Sequence, residues 1–536
     1  MRKRIGKTLK RMVVAMAAVI TMSSLAACGG ADSSSSELDT EAVVTFAVAS
    51  PWDTMNIYAS NGGSFTGLIC DKIYDRLVYV NESFEVEPRA AESWEIDGKT
   101  VTFHLNKDCT WHDGAPVTAK DWVFTAQFAS SSEVTLVSRG FSQYVEGTNA
   151  AGIETSANSI AIEAKDDYTL VVHLKDTYAM DSFLVTSARQ LYVLPEHILG
   201  SMSDSEIMTN AYWDAPIGSG PCIYESQIAG SEVTLKTFDK YQLGQPKFSK
   251  LVFKVTAQSN FANAIMSGDA DLTYTHMTVE DALALEGQEG VTIRKQDNPT
   301  FMQVWVFDNT TVSKNMRNAL NAAIDKQLII DQFYYGAGEL TDTIILPGSE
   351  YYYDNPNKGQ NIEKAKEYLA EAIAAGEWSA DKVFEIGVNT DSRQKQGELI
   401  QQELEAVGIK SKVVMYDSTT MWSKINSHTL TSCMMGLMPS NDPLSMAKLY
   451  DPTTTRFFST TNTGWTTIIK SIEAEQDKTK RKELVKQLQE MEYDEMPASW
   501  ICAQYSYAAT SARIKNVDSF ASDMINNAVW KWEVVK

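Results

Sequence analysis

The stretch from Val86 to Phe128 admits few local conformations, and the fold is first readable there. Asp97-Gly98 marks a turn, beyond which Val101, Phe103 and Leu105 alternate with Thr102 and His104. Alternation with a period of two is the pattern of a half-buried strand. Asp113-Gly114 turns the chain again. Pro116 then precedes Thr118, with Asp121 three residues later, and this spacing predicts a capping box opening a helix over 119–128. Trp122, Ala126 and Ala129 fall on one stripe of that helix and are its candidate core face.

The same stretch carries A-x-S-W, then D-G-K-x-x-x-F-x-L, then W-x-D-G-x-P-V-T-A-x-D-W-x-F. Together these motifs closely resemble the signature of the peptide-type solute-binding proteins of ABC importers, the extracellular solute-binding protein family 5. Further segments carry the resemblance along the chain: Tyr74-Asp75-Arg76-Leu77, Leu194-Pro195-Glu196-His197, Pro216-Ile217-Gly218-Ser219-Gly220-Pro221 and the helical run from Asn315. It implies an α/β fold of the periplasmic-binding-protein type (class II, cluster C), with two lobes, a satellite domain and a two-stranded hinge. The first lobe is expected from 42–74, 198–297 and 500–536, the satellite from 75–197 and the second lobe from 298–499. Chain crossings near Asn298-Pro299 and Pro497 would then form the hinge.

At the N-terminus Arg2, Lys3, Arg4, Lys7, Lys10 and Arg11 precede a short run of apolar and small residues over 12–27. A membrane span needs roughly 20 apolar residues, so residues 1–27 read as an export signal. Leu25-Ala26-Ala27-Cys28 resembles the lipobox of bacterial lipoproteins. Cys28 is therefore expected to be the first mature residue and to be acylated, with 28–41 as its flexible tether. Stable anchoring by acyl chains takes two or more of them.

All six of those basic residues leave with the signal, so the mature chain is more acidic than the formal net charge of −22. Phosphate backbones are bound largely by basic clusters, so nucleic acid is not an expected partner. Beyond Cys28 lie Cys70, Cys109, Cys222, Cys433 and Cys502 without C-x-x-C spacing. They read mainly as small buried residues, with one disulfide left open.

Periodicity orders the rest of the chain. The stretch 42–48 reads as a strand. Phe384–Val388, a helix over 394–407 and a strand over 412–416 read as a parallel crossover. Two glycines flank a hydroxyl residue in Gly218-Ser219-Gly220-Pro221, an arrangement open to an anion nest, but Pro221 removes a donor. A tight structural turn is the expectation there.

Catalytic patterns are missing from the sequence. The six histidines are scattered, no H-E-x-x-H or G-x-S-x-G occurs, and S-x-x-K at Ser379 and Ser445 has no K-T-G to complete it. No enzyme, cofactor or metal is expected, and the absence of a Walker A motif assigns ATP hydrolysis to another chain.

The resemblance implies capture of an oligopeptide in a closing cleft by a monomer held at the outer face of the cell membrane by its lipid, with delivery to a permease and an ATPase. Another solute (a nickel chelate or an oligosaccharide) and a surface sensor without import remain alternatives. Members that bind free-amino peptides carry A-D-Y-x-(D/E)-P, whose first Asp pairs with the amine. Here Met438-Pro439-Ser440-Asn441-Asp442-Pro443 sets Pro439 at that place, which leaves Asp442 as the substitute or as a turn residue. Trp422, Trp305 and Tyr274 are the aromatic candidates for the cleft.

Overall fold

Val43–Val48 is buried along most of its length because parallel strands flank it on both sides, Lys250–Val255 and Leu272–Thr273. The computed structural model describes residues 37–536 except 53, 60–63, 82–84, 135–138, 177, 179–182, 185–189, 274–276, 297, 356–358, 439–441, 454–457, 459 and 518–527. Leu38–Lys536 forms one unit. Around Val43–Val48 lies a seven-stranded sheet in the order Val291–Lys295, Tyr507–Ser511, Leu272–Thr273, Val43–Val48, Lys250–Val255, Glu232–Thr237, Cys222–Ile228. A six-stranded sheet orders Gly338–Leu340, Ala498–Gln504, Phe301–Phe307, Ser432–Leu437, Phe384–Val388 and Ser411–Met415. The last two of these are parallel, joined by the helix Asp391–Ala406, as their spacing predicts.

The motif-bearing stretch folds as its pattern requires. Ala91–Asp97 and Thr100–Leu105 form a hairpin within a four-stranded antiparallel sheet. The helix spans Ala119–Ser130, with the Thr118 N–H donating to the Asp121 carboxylate at 2.8 Å. Trp122, Ala126 and Ala129 are buried, and so is Phe128 off their stripe. The helix is covered on more than one side because the Leu194–Leu199 segment docks on it: the Leu194 N–H donates to Thr125 Oγ1 at 2.9 Å.

Apolar packing divides the molecule into two halves. One continuous cluster unites the four-stranded sheet with one face of the seven-stranded sheet, including Trp122, Phe103, Leu235 and Trp532, and a smaller one around Phe261 packs on Ala47 and Ala509 of the same sheet. Separate clusters cover the six-stranded sheet, one around Trp465 and Trp500, the other around Trp305 and Ile400. The chain first passes from the seven-stranded to the six-stranded sheet between Lys295 and Phe301. The second crossing does not lie at Pro497. Ala498–Gln504 is a buried strand paired antiparallel with Phe301–Phe307, so 500–504 belongs to the second half and the chain crosses at 505–506. A run of seven residues with six of them fully buried is stable only inside a sheet, and this strand is central in its own.

The Gly218-Ser219-Gly220-Pro221 segment is a packed turn. A Cβ at 218 would stand 1.8 Å from the Ile73 carbonyl oxygen, so only glycine fits. The Gly218 N–H donates to His112 Nδ1 at 3.2 Å, which leaves the proton on Nε2 to donate to the Gly220 carbonyl at 3.0 Å. Burial holds the His112 pKa down to about 4. A base depressed in the folded state favours folding while it is neutral, and that contribution is lost as pH falls from about 6.5 toward about 4. His112→Gln is expected to remove that part of the acid sensitivity, read as a smaller drop in the urea midpoint between pH 7 and pH 5. An unchanged drop would contradict it.

Cys70, Cys109, Cys222, Cys433 and Cys502 are buried free thiols. No helix among the described residues is long and apolar enough to cross a membrane.

Candidate functional site

Between the two halves lies a cleft of about 810 Å³. Ala49, Ser50, Phe65 and Met277–Glu280 line it from the first half, and Phe301, Gln332–Tyr335, Ser392 and Lys395 from the second. Gln504, Tyr505 and Ser506, at the second crossing, form its floor. Such a space suits a guest of several residues, since ligand pockets commonly span roughly 300–1,000 Å³.

The floor is a pair of cross-bonded crossings. The Thr300 N–H donates to the Gln504 carbonyl at 2.9 Å and the Gln296 N–H to the Ser506 carbonyl at 3.1 Å. Thr300 Oγ1 and Ser506 Oγ share a hydrogen bond of 2.8 Å. Tyr505 donates its phenol to Glu339, and Lys295 Nζ stands 3.6 Å from the centre of its ring. The ring is therefore held from both halves at once.

Each wall presents groups from the end of an element. Thr278 caps the helix Val279–Leu285 through the Asp281 N–H at 3.0 Å, which brings Glu280 to the mouth. Opposite, the helix Lys326–Phe333 ends in Tyr334, whose hydroxyl accepts from Gln396 Nε2 at 2.9 Å. Burial pushes the Tyr334 phenol well up, so it stays neutral. Tyr335 follows in the left-handed region at φ 53° and is exposed beside Glu280, whose charge raises its pKa.

Behind Phe301 the wall is packed against glycine. A Cβ at 436 would lie 2.0 Å from Phe301 Cζ and 2.6 Å from Arg393 Nη2, so the ring and the guanidinium both rest on Gly436. Arg393 Nη1 donates to Asn389 Oδ1 at 2.8 Å. Burial lowers its pKa. Glu280 and Lys395 are thus the two formally charged side chains among the described cleft-lining residues.

The structure redistributes the residues singled out in sequence. Trp305 is fully buried in the second half, donating Nε1–H to Ser432 Oγ at 2.9 Å and packing edge-on against Phe307 and Phe384. It does not reach the cleft, because it lies inside a central strand whose first residue, Phe301, does. Trp422 sits on the helix Ser418–Asn426, 41% exposed and outside the cleft lining, while its neighbour Met421 turns into the core. Asp442 is buried, pairs with Arg481 Nη2 at 2.7 Å and caps the helix Pro443–Ala447 by accepting from the Leu444 N–H at 3.1 Å. It too is absent from the lining among the described residues, and its Oδ1 is held by Arg481 and Leu444. Tyr274, Pro439 and Cys28 lie outside the described residues. Among the described residues no cluster of three His, Cys, Asp or Glu side chains could hold a metal ion.

Phe301, Phe333–Tyr335, Lys395 and Gln504–Ser506 went unremarked as cleft residues in the sequence. The aromatic density of Phe333-Tyr334-Tyr335-Gly336 and Tyr505-Ser506-Tyr507, each at the end of an element, was the available signal.

The family model described as bacterial extracellular solute-binding proteins, family 5, middle region, matches residues 85–465. The oligopeptide-binding protein AppA of Bacillus subtilis (strain 168) is 26% identical over 428 residues, which is 75% of this chain and 75% of the relative. Among solved structures, the ABC transporter substrate-binding protein CtaP from Listeria monocytogenes superposes with a TM-score of 0.80 at 21% identity, covering 92% of this chain and 100% of the other. AppA from Bacillus subtilis in complex with a nonapeptide gives 0.73 at 20% identity, covering 93% and 100%.

Proposed function

This chain belongs to the bacterial extracellular solute-binding proteins of family 5, and from that membership we propose that its cleft captures an oligopeptide for delivery to an ABC importer. The observation that carries the reading is the polar and aromatic trench between two separately cored halves, joined at its floor by two cross-bonded chain crossings. An extended peptide brings N–H and C=O groups that must be paired once water leaves, and exposed backbone at strand ends offers such partners. Aromatic rings such as Phe301 and Tyr505 offer apolar contact without demanding one side chain. Closure of the halves would complete burial and favour the form that the permease recognises. AppA, bound to a nonapeptide, supports this choice of guest.

Glu280 and Lys395 face the trench from opposite halves, and we assign them to the two ends of a free peptide. A charge-assisted hydrogen bond contributes about 1.5–3 kcal/mol, so losing one is expected to cost roughly tenfold or more in affinity. Calorimetric titration with tri- to nonapeptides tests this. Glu280→Gln is expected to weaken free-amino peptides and leave N-acetylated ones unaffected. Lys395→Met is expected to weaken free carboxylates and leave amides unaffected. If no peptide of any length bound the unaltered protein, the reading would fall.

Cys28 is the proposed acylation site, supported by the basic start and Leu25-Ala26-Ala27-Cys28. Mass spectrometry of membrane-extracted protein should find a mature N-terminus at Cys28 carrying diacylglycerol, and Cys28→Ser should lack the modification. The anchored protein would work as a monomer beside separate permease and ATPase chains.

A further inference from the structure

We propose that Lys448 is a latch that holds the two halves shut at a point away from the cleft, an inference that rests on the closing-cleft reading above. Lys448 begins the short turn Lys448–Tyr450 of the second half, and its Nζ donates to Tyr144 Oη at 2.9 Å. Tyr144 lies 304 positions earlier, in the turn Ser142–Tyr144 beside the four-stranded sheet. It belongs to the first half's apolar cluster, whereas Tyr450, two residues beyond Lys448, belongs to a cluster of the second. The bond therefore spans two bodies that do not share a core.

The receiving side is built. Tyr144 is 5% exposed, its carbonyl accepts from the Lys175 N–H at 3.0 Å, and the Ser142 carbonyl accepts from Thr148 Oγ1 at 2.7 Å. Tyr178 meets its ring edge-on at 4.9 Å. Lys448 Nζ also stands 5.0 Å from the centre of the Tyr144 ring, so the ammonium is met by both the hydroxyl and the π face.

On its own side Lys448 pairs with Glu473 at 2.9 Å. That carboxylate comes from the same half, so it neutralises the ammonium whether the halves are together or apart. Separating them breaks the Tyr144 contact and leaves the Glu473 pair in place. Beyond its ion pair within the second half, Lys448 therefore makes a bond to Tyr144 that exists only while the halves are together, which is the property of a latch. Apparent affinity for a guest scales with the fraction of protein in the competent form. Loss of the latch should lower affinity even though the guest touches none of its members.

The test uses spin labels at Lys165→Cys and Gln476→Cys on the full chain, where the described native thiols are buried. Lys448→Met is expected to lengthen the inter-label distance in unliganded protein and to weaken peptide binding by about three- to tenfold. Tyr144→Phe keeps the ring and loses the acceptor, so it should fall between Lys448→Met and the unaltered protein on both readouts. A Lys448→Met protein with unaltered distances would overturn the latch. Unaltered affinity in a protein that binds peptide would do the same. If the unaltered chain binds no peptide, the distance measurement still decides the latch, and the two failures stay separate.

Discussion

Arg481→Met is expected to remove about 3–5 kcal/mol of stability from the second half, the usual cost of stripping one partner from a buried ion pair. The Arg481 and Asp442 side chains are each 5% exposed and meet at 2.7 Å. Arg481 Nε also donates to the Ile472 carbonyl at 3.3 Å, Nη1 donates to Tyr351 Oη at 3.2 Å, and the guanidinium lies over the Tyr351 ring. Burial pulls the Arg481 pKa down, and the Asp442 charge, Tyr351 and the hydrogen bonds to both together more than offset it, leaving the group firmly protonated. Methionine fills similar volume but leaves a carboxylate in the interior without its cation. Urea unfolding checks the loss, and the double variant Arg481→Met with Asp442→Leu should recover most of it, because an apolar pair no longer strands a charge. A single variant within about 1 kcal/mol of the unaltered protein would return Asp442 to candidacy as a ligand group.

A loss of similar size is expected for Glu492→Leu, for a different reason. Glu492 is buried and gathers four donors from three segments: Tyr450 and Trp500 through their side chains, and from one loop Thr343 Oγ1 at 2.8 Å and the Ile344 N–H at 2.9 Å. Leucine would strand all of them. Each unsatisfied buried group costs about 1–3 kcal/mol, so a total on the order of 4 kcal/mol follows after relaxation. Thermal scans should show the second half melting early while the first, with its own apolar cluster, melts near its usual temperature.

The same residue predicts a pH effect. Burial raises the Glu492 pKa to about 7, and the donated hydrogen bonds only partly offset this. An acid raised in the folded state binds its proton more tightly there than in the unfolded chain. Its contribution is fully present below about 4.5 and is lost as pH climbs through about 7. Glu492→Gln should abolish that decline. Its slope is opposite to that of His112, which sits in the other half.

Much of the architecture was legible because local patterns agreed with tertiary ones. The alternation at Val101–Leu105, the Thr118–Asp121 cap and the spacing of Phe384–Val388 from Ser411–Met415 each encode an element and its partner within about thirty residues. Trp305 was open to a cleft or a core reading because an aromatic strand reads alike whether one face is open or both are covered, and only the sheet order shows it to be interior. Asp442 was ambiguous because its partner, Arg481, lies 39 residues away on another helix and no spacing announces it. The cleft was the hardest part to read. Its groups come from segments as remote as Met277–Glu280, Gln332–Tyr335 and Gln504–Ser506, each at the end of an element where periodicity stops. The resemblance implied a second crossing near Pro497, whereas the strand that starts just after it stays in the six-stranded sheet as far as Gln504.

Hydrogen exchange in the presence and absence of saturating oligopeptide tests the account at its centre. Two halves closing on a guest should bring new protection to both walls together, over 277–280 and 332–335, and to the floor at 504–506. Protection confined to one half, or located away from the cleft, would contradict capture by closure.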